Sequence, residues 1–310
     1  MNTFGRHQPL TGGVSGAAFL LGNLLCWAIV PVVLRHLTGS LDGWTTNGFR
    51  YPFAALLYWP VLFVAWRSGT LNEQVLRRCI APSLFALAAQ ILWAWAPYYL
   101  PAGAIGFFMR FSLLFAITAA MVLFPDEREL LRLAKFYFGL ILLVGGFILM
   151  SVSKVQFDAE VTGVGIAIIL LCGVFFGLYG VSVRHFMHGI NPLVAFGVVS
   201  TYVSLGTLTA MFAFGDYHEL LSLSRRNWLV LAGSAILGIA LGHIFLYSAV
   251  SRLGAAITSG AQTLIPFPTM LLAAWFLHER MTGLEWVAGL TMVLGTAVLL
   301  LAQHQIVRRA

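Results

Sequence analysis

The chain has 310 residues, 60% of them hydrophobic and only 9% charged, with a mean hydropathy of +0.89. A soluble domain carries about 25% charged residues, so this chain cannot clothe a water-facing surface and its solvent is largely lipid. The formal net charge of +7 contains no Lys/Arg cluster long enough for nucleic acid, and Cys26, Cys79 and Cys172 have neither metal nor disulfide spacing.

Apolar runs of the length that crosses a bilayer as a helix recur ten times: 14–36, 44–66, 78–98, 102–124, 133–152, 163–185, 192–214, 228–248, 254–277 and 284–303. The start, MNTFGRHQPLTGG before an apolar run, imitates a signal peptide. That run is too long for an h-region and reads as the first, uncleaved span. Span one carries Asn23 and Trp27 at i and i+4, on one face, then Pro31, and ends in Arg35-His36. Arg50 lies about one turn inside the outer end of span two, placed to snorkel to the headgroups or to pair with Asp42, in a structural or gating role. Gln90 and Trp93 share a face of span three. Trp95, Tyr98 and Tyr99 after them read as an interfacial aromatic belt.

In span four Arg110 sits roughly 12 Å deep by helical rise, among apolar neighbours. An arginine there costs at least about 2.5–3.5 kcal/mol, so it faces protein or a wet cavity. It either holds a substrate carboxylate or ties backbone carbonyls of neighbouring helices together. Tyr179 on span six and Tyr202 on span seven are placed to complete a polar, aromatic-lined pocket with Asn23, Trp27, Gln90, Trp93 and Gln262. Interhelical hydrogen bonding is the other use for such buried amides. His243 in span eight lies roughly 22 Å from the outer face, with Tyr247 and Ser248 as candidate partners. It is either a protonatable coupling site or a packing histidine. Gln262 in span nine precedes Pro266 and Pro268. These prolines and Pro31 remove backbone donors and bend their helices, as hinges or as fixed bends.

Two segments repeat. The Arg-His ending of span one recurs 149 positions later as Arg184-His185, and ELLRLAKFYFGLILLVGG (129–146) lines up with ERMTGLEWVAGLTMVLGT (279–296), pairing Glu129 with Glu279 and Gly145 with Gly295. The chain thus divides into five-span repeats over 1–156 and 157–310, together one transmembrane domain. Five is odd, so the second copy enters the membrane from the opposite side. Call the N-terminal side A and the other side B. Side A collects eleven Lys/Arg, against Arg35, Lys154, Arg225, Arg226 and Arg280 on side B. By the positive-inside rule side A is cytoplasmic, with both termini there.

On these residues the sequence resembles the drug/metabolite transporter superfamily, EamA type. The resemblance covers nearly the whole chain. It rests on the first helix running to Arg-His, on GFRYPFAALLY with Arg50, and on LIPFPTMLLAAWFLHERMTGLEWVAGLTMVLG with Pro266 and Glu279. The corresponding first-half stretch, FSLLFAITAAMVLFPDE, lacks the mid-helix proline. Within the superfamily the chain looks most similar to amino-acid and metabolite exporters, those of the aromatic amino-acid YddG type among them.

The fold expected is all-α integral membrane, ten helices in two inverted five-helix repeats. Such repeats suit alternating access around one central site. None of the eleven acids falls in the middle of a span, which argues against a carboxylate-based cation/proton antiporter. A neutral or zwitterionic small-molecule substrate fits, exported with no cofactor or metal across the inner membrane. Other readings are a multidrug or other-metabolite exporter of the same fold, a passive channel, or a membrane-embedded enzyme. The last lacks a base placed beside Ser112, Ser200 or Ser259.

Overall fold

The computed structural model describes residues 13–155 and 159–307. Arg6, Arg308 and Arg309 of the charge count, and the repeat boundary at 156–157, lie outside the described residues. Regular structure among the described residues is helical only. Helix α1 (Gly13–Leu37) runs unbroken through Pro31. Span two is not the single helix expected: α2 (Gly43–Leu56) and α3 (Trp59–Arg67) meet at a 44° bend. Pro60 in the first turn of α3 has no N–H to offer the Leu56 carbonyl, so the ladder cannot pass. Helix α4 (Glu73–Tyr99) starts earlier than hydropathy placed it. Asn72 accepts the Val75 N–H at 3.0 Å, and Glu73 sits favourably at the positive helix end.

Span four comprises α5 (Ala102–Phe108) and α6 (Ser112–Leu123), joined by a 3-10 turn over Met109–Phe111. Helices α7 (Ala134–Val155), α8 (Ala159–Phe186), α9 (Pro192–Phe214) and the short α10 (Glu219–Ser222) follow. Span eight comprises α11 (Arg225–Ser234) and α12 (Gly242–Leu253), with a π-helical segment Ala235–Leu241 between them. Span nine comprises α13 (Ala255–Gln262) and α14 (Pro266–Leu277), and α15 (Gly283–Val307) is last. Among the described residues nine stretches are long and apolar enough to cross singly, and the bent α2–α3 pair, taken as one span, makes a tenth. Spans four and nine are both interrupted, although only the second break carries a proline.

The repeats interleave. Helix α4 lies on α8 as α1 lies on α12, and α6 lies on α8 as α14 lies on α1; α2 crosses α9, and α7 crosses α15. The α7–α15 seam shows the symmetry atom by atom. A Cβ on Gly146 would come within 2.8 Å of the Ala288 carbonyl oxygen, and one on Gly295 within 2.8 Å of the Gly139 carbonyl oxygen. Gly146 matches Gly295 and Gly139 matches Ala288, each 149 positions apart, the spacing of the two Arg-His pairs. The sequence pairing of Gly145 with Gly295 is therefore one residue out of register.

Spans four and nine lie together at side B, where α5 packs along α14. Toward side A they part: among the described residues α6 packs chiefly on α8, and α13 on α12 and α15. Two apolar cores flank the middle of the molecule. One is built on Phe107, Phe108, Leu143 and Met292, the other on Tyr58, Phe196, Val199 and Ile239.

Candidate functional site

The π-helical segment organises the centre. A π turn widens the helix and turns carbonyls away from their usual i+4 partners, a device frequent at functional sites. Here successive carbonyls at and beside the segment accept side-chain donors. Trp27 Nε1 donates to Gly238 O at 3.2 Å, Tyr58 Oη to Ala240 O at 2.7 Å, and Asn23 Nδ2 to Gly242 O at 2.9 Å. His243 Nδ1 lies 2.8 Å from Ile239 O; a carbonyl only accepts, so Nδ1 carries the proton. Small residues permit the approach: a Cβ on Gly242 would stand 2.5 Å from Trp27 Nε1.

From this segment a polar belt runs across four spans. Gln262 Nε2 donates to Asn23 Oδ1 at 2.9 Å, and Arg110 donates from a terminal nitrogen to Gln262 O at 2.8 Å. Pro266 has no N–H to return to that carbonyl, so it accepts only the Ile265 N–H of the turn, at 3.1 Å, beside Arg110. Arg110 Nε is buried and without a hydrogen-bond partner among the described residues. In the other direction Trp27 meets His243 edge-on at 5.4 Å, and His243 stacks on Phe196 at 3.8 Å and 17°. A cavity of about 30 Å³ opens beside it, lined among others by Tyr51, Gln90, Phe176, Tyr179, Ser200 and His243. That volume admits a water or two and no larger solute.

The structure thus brings Arg110, Gln262, Asn23, Trp27 and His243 into one contact chain, and Gln90 and Tyr179 onto the adjoining cavity. Trp93 stands behind the cavity wall, edge-on to Phe176 at 6.3 Å. Pro266 and Pro268 open α14 just beyond the Gln262 turn.

Three expectations need correction. Arg50 neither snorkels nor meets Asp42. It is 1% exposed, and donates to Asn47 Oδ1 and Ser234 Oγ, each at 2.8 Å. Asp42 instead caps α2, accepting the Thr45 N–H at 2.9 Å. His243 bonds Ile239 O rather than Tyr247 or Ser248, because the π turn frees a carbonyl one turn before it. Tyr202 does not complete the pocket: its hydroxyl lies 3.5 Å from Leu76 O, on the flank of α4. The sequence reading missed Asn47, Ser234, Tyr58 and Phe196. Ser234 and Tyr58 act on partners 184 and 182 positions away and Phe196 through a ring contact, for which hydropathy carries no signal; Asn47 meets Arg50 only three positions on, a spacing the sequence does offer.

A solved crystal structure superimposes over 92% of this chain and 97% of its own, with a TM-score of 0.62 at 15% identity, a likeness of fold. An uncharacterized transporter of Haemophilus influenzae is 23% identical over 186 residues, which span 60% of this chain and 61% of the relative. The model of the EamA-like transporter family matches twice, over residues 14–152 and 163–301, one match to each five-span repeat. Two such matches over interleaved, oppositely directed repeats make the chain a member of the EamA-like transporter family.

Proposed function

We propose that the protein is a secondary transporter that exports small metabolites, foremost amino acids including aromatic ones, across the inner membrane by alternating access. Arg110 carries this reading. Its guanidinium is anchored by one N–H on Gln262 O, while Nε–H stays buried without an acceptor. A substrate carboxylate supplies that acceptor and a counter-charge, in a charge-assisted hydrogen bond. The site lies between the interruptions of spans four and nine, where backbone can yield. Asn23 and Gln262 offer amide groups to an ammonium or side chain, and Phe176, on the cavity wall, offers a ring, with Trp93 behind it. With side A cytoplasmic, the separation of α6 from α13 corresponds to an inward-facing form.

His243 holds its proton on Nδ1 against Ile239 O, with its ring sandwiched by aromatics. This fits a packing role and transport down the substrate gradient. The test is counter-flow of radiolabelled amino acids in proteoliposomes. Preloaded substrate should accelerate uptake, Arg110→Ala should lower the rate by at least about tenfold, as for loss of a charged hydrogen bond, and an imposed pH gradient should drive no uphill flux. Full counter-flow in Arg110→Ala would refute the assignment.

A further inference from the structure

The two Arg-His endings have matching partners, and the match is not the one the sequence alignment suggests. At side B, Glu279 faces Arg35 at 4.0 Å. Its two oxygens accept the N–H groups of Ala102 at 3.0 Å and Gly103 at 3.1 Å, the first turn of α5. Arg35 meanwhile donates to the carbonyl of Pro97. His278, with φ of 55° after α14, turns the chain so that Glu279 reaches back. At side A the partner of Arg184 is Glu127, not Glu129. Arg184 holds Glu127 Oε1 at 2.5 Å, and Glu127 Oε2 is buried with no partner among the described residues.

The repeat relation assigns that spare oxygen a destination. Leu-Pro-Ala-Gly at 100–103 corresponds to Leu-Gly-Ala-Ala at 253–256, so Ala255 and Ala256 at the start of α13 match Ala102 and Gly103. First-turn N–H groups have no acceptor within their own helix, and a carboxylate there is favoured by the helix dipole. Among the described residues α6 packs chiefly on α8 at side A, while α13 packs on α12 and α15. Met270, which packs against Gly103 at side B, is buried at 3% exposure. Its counterpart by the Glu127–Glu279 spacing, Thr118, is exposed.

We infer that Glu127 and Glu279 are reciprocal gate residues. In each state one carboxylate caps the N-terminus of the facing span and shuts its side, while the other is parked on the arginine of its neighbouring span. In this structure Glu279 is the closed latch and Glu127 the parked one. On closure of side A, Glu127 leaves Arg184 for the N–H groups of Ala255 and Ala256, and Glu279 passes to Arg35. This rests on the alternating-access reading proposed above.

The test is cross-linking of a Thr118→Cys/Ala256→Cys pair by a short bifunctional thiol reagent in proteoliposomes. The three native cysteines, all buried, are replaced by alanine. Cross-linked product reports closure of side A. Glu127→Gln should lower the yield roughly tenfold, the scale of a lost charge-assisted cap. Glu279→Gln, which unlatches side B, and Arg184→Gln, which frees Glu127, should both raise it. A merely structural role would move Glu127→Gln and Arg184→Gln in the same direction, and that result would overturn the gate. So would a Glu127→Gln yield equal to the parent's. Should Glu127→Gln fail to fold, Glu127→Asp withdraws the carboxylate by one methylene and is expected to give the same loss. Absence of product in both the parent and Glu279→Gln would instead remove alternating access itself, and the latch with it.

Discussion

Ser234 accepts the Nε–H of Arg50 at 2.8 Å and donates its own hydroxyl to Leu231 O at 2.7 Å. Asn47 accepts a second guanidinium proton and donates its amide to Gln90 O at 2.6 Å. A buried cation is tolerable only when such partners are complete. Ser234→Ala leaves Nε–H without its acceptor and should destabilise the protein by about 1–3 kcal/mol, read as a lower thermal midpoint in detergent. An unchanged midpoint would show that Ser234 O, 3.4 Å from the other terminal nitrogen, suffices alone. Depth along a helix told the sequence reader how far Arg50 sits from one end of its span. It could not tell which helix lies beside it, and Ser234 is 184 positions away. Asn23 and Gln262 were legible as buried amides for the same reason that their pairing was not.

Helices were legible where hydrophobic length decides them, and less so where hydrogen-bond register does. The π segment in span eight leaves the apolar pattern unchanged, so nothing in AILGIAL announces it. The bend in span two had a visible cause in Pro60, obscured because the apolar run continues across it. In the α7–α15 seam the neighbouring glycines Gly145 and Gly146 read alike, yet only Gly146 touches the facing helix. A Cβ on Gly145 would meet nothing within 4 Å. Gly145→Ala should therefore be neutral or slightly stabilising. Gly295→Ala drives a methyl into the backbone of Gly139 and Leu143 and should cost about 1–3 kcal/mol, as overpacking does. Comparing the two unfolding midpoints checks the 149-residue register; equal effects would contradict it.

For the molecule as a whole, two inverted copies with inequivalent ends are the central feature. Duplication was legible in the Arg-His endings, and the family match on each half agrees with it. The state of the molecule was not legible, because both ends carry the same residue types. Glu279 on two backbone N–H groups and Glu127 on an arginine differ in partners, not in chemistry. The claim that these ends exchange is tested most directly by paired spin-label distances in proteoliposomes. One pair, at Val122 and Ile257, marks side A, and the other, at Tyr99 and Trp275, marks side B; Val122, Ile257 and Trp275 are well exposed at 70%, 60% and 77%. Two distances are expected in each pair. On adding a solute that supports counter-flow, the short component should grow on one side as it shrinks on the other. A single distance in each pair, unmoved by that solute, would contradict the account.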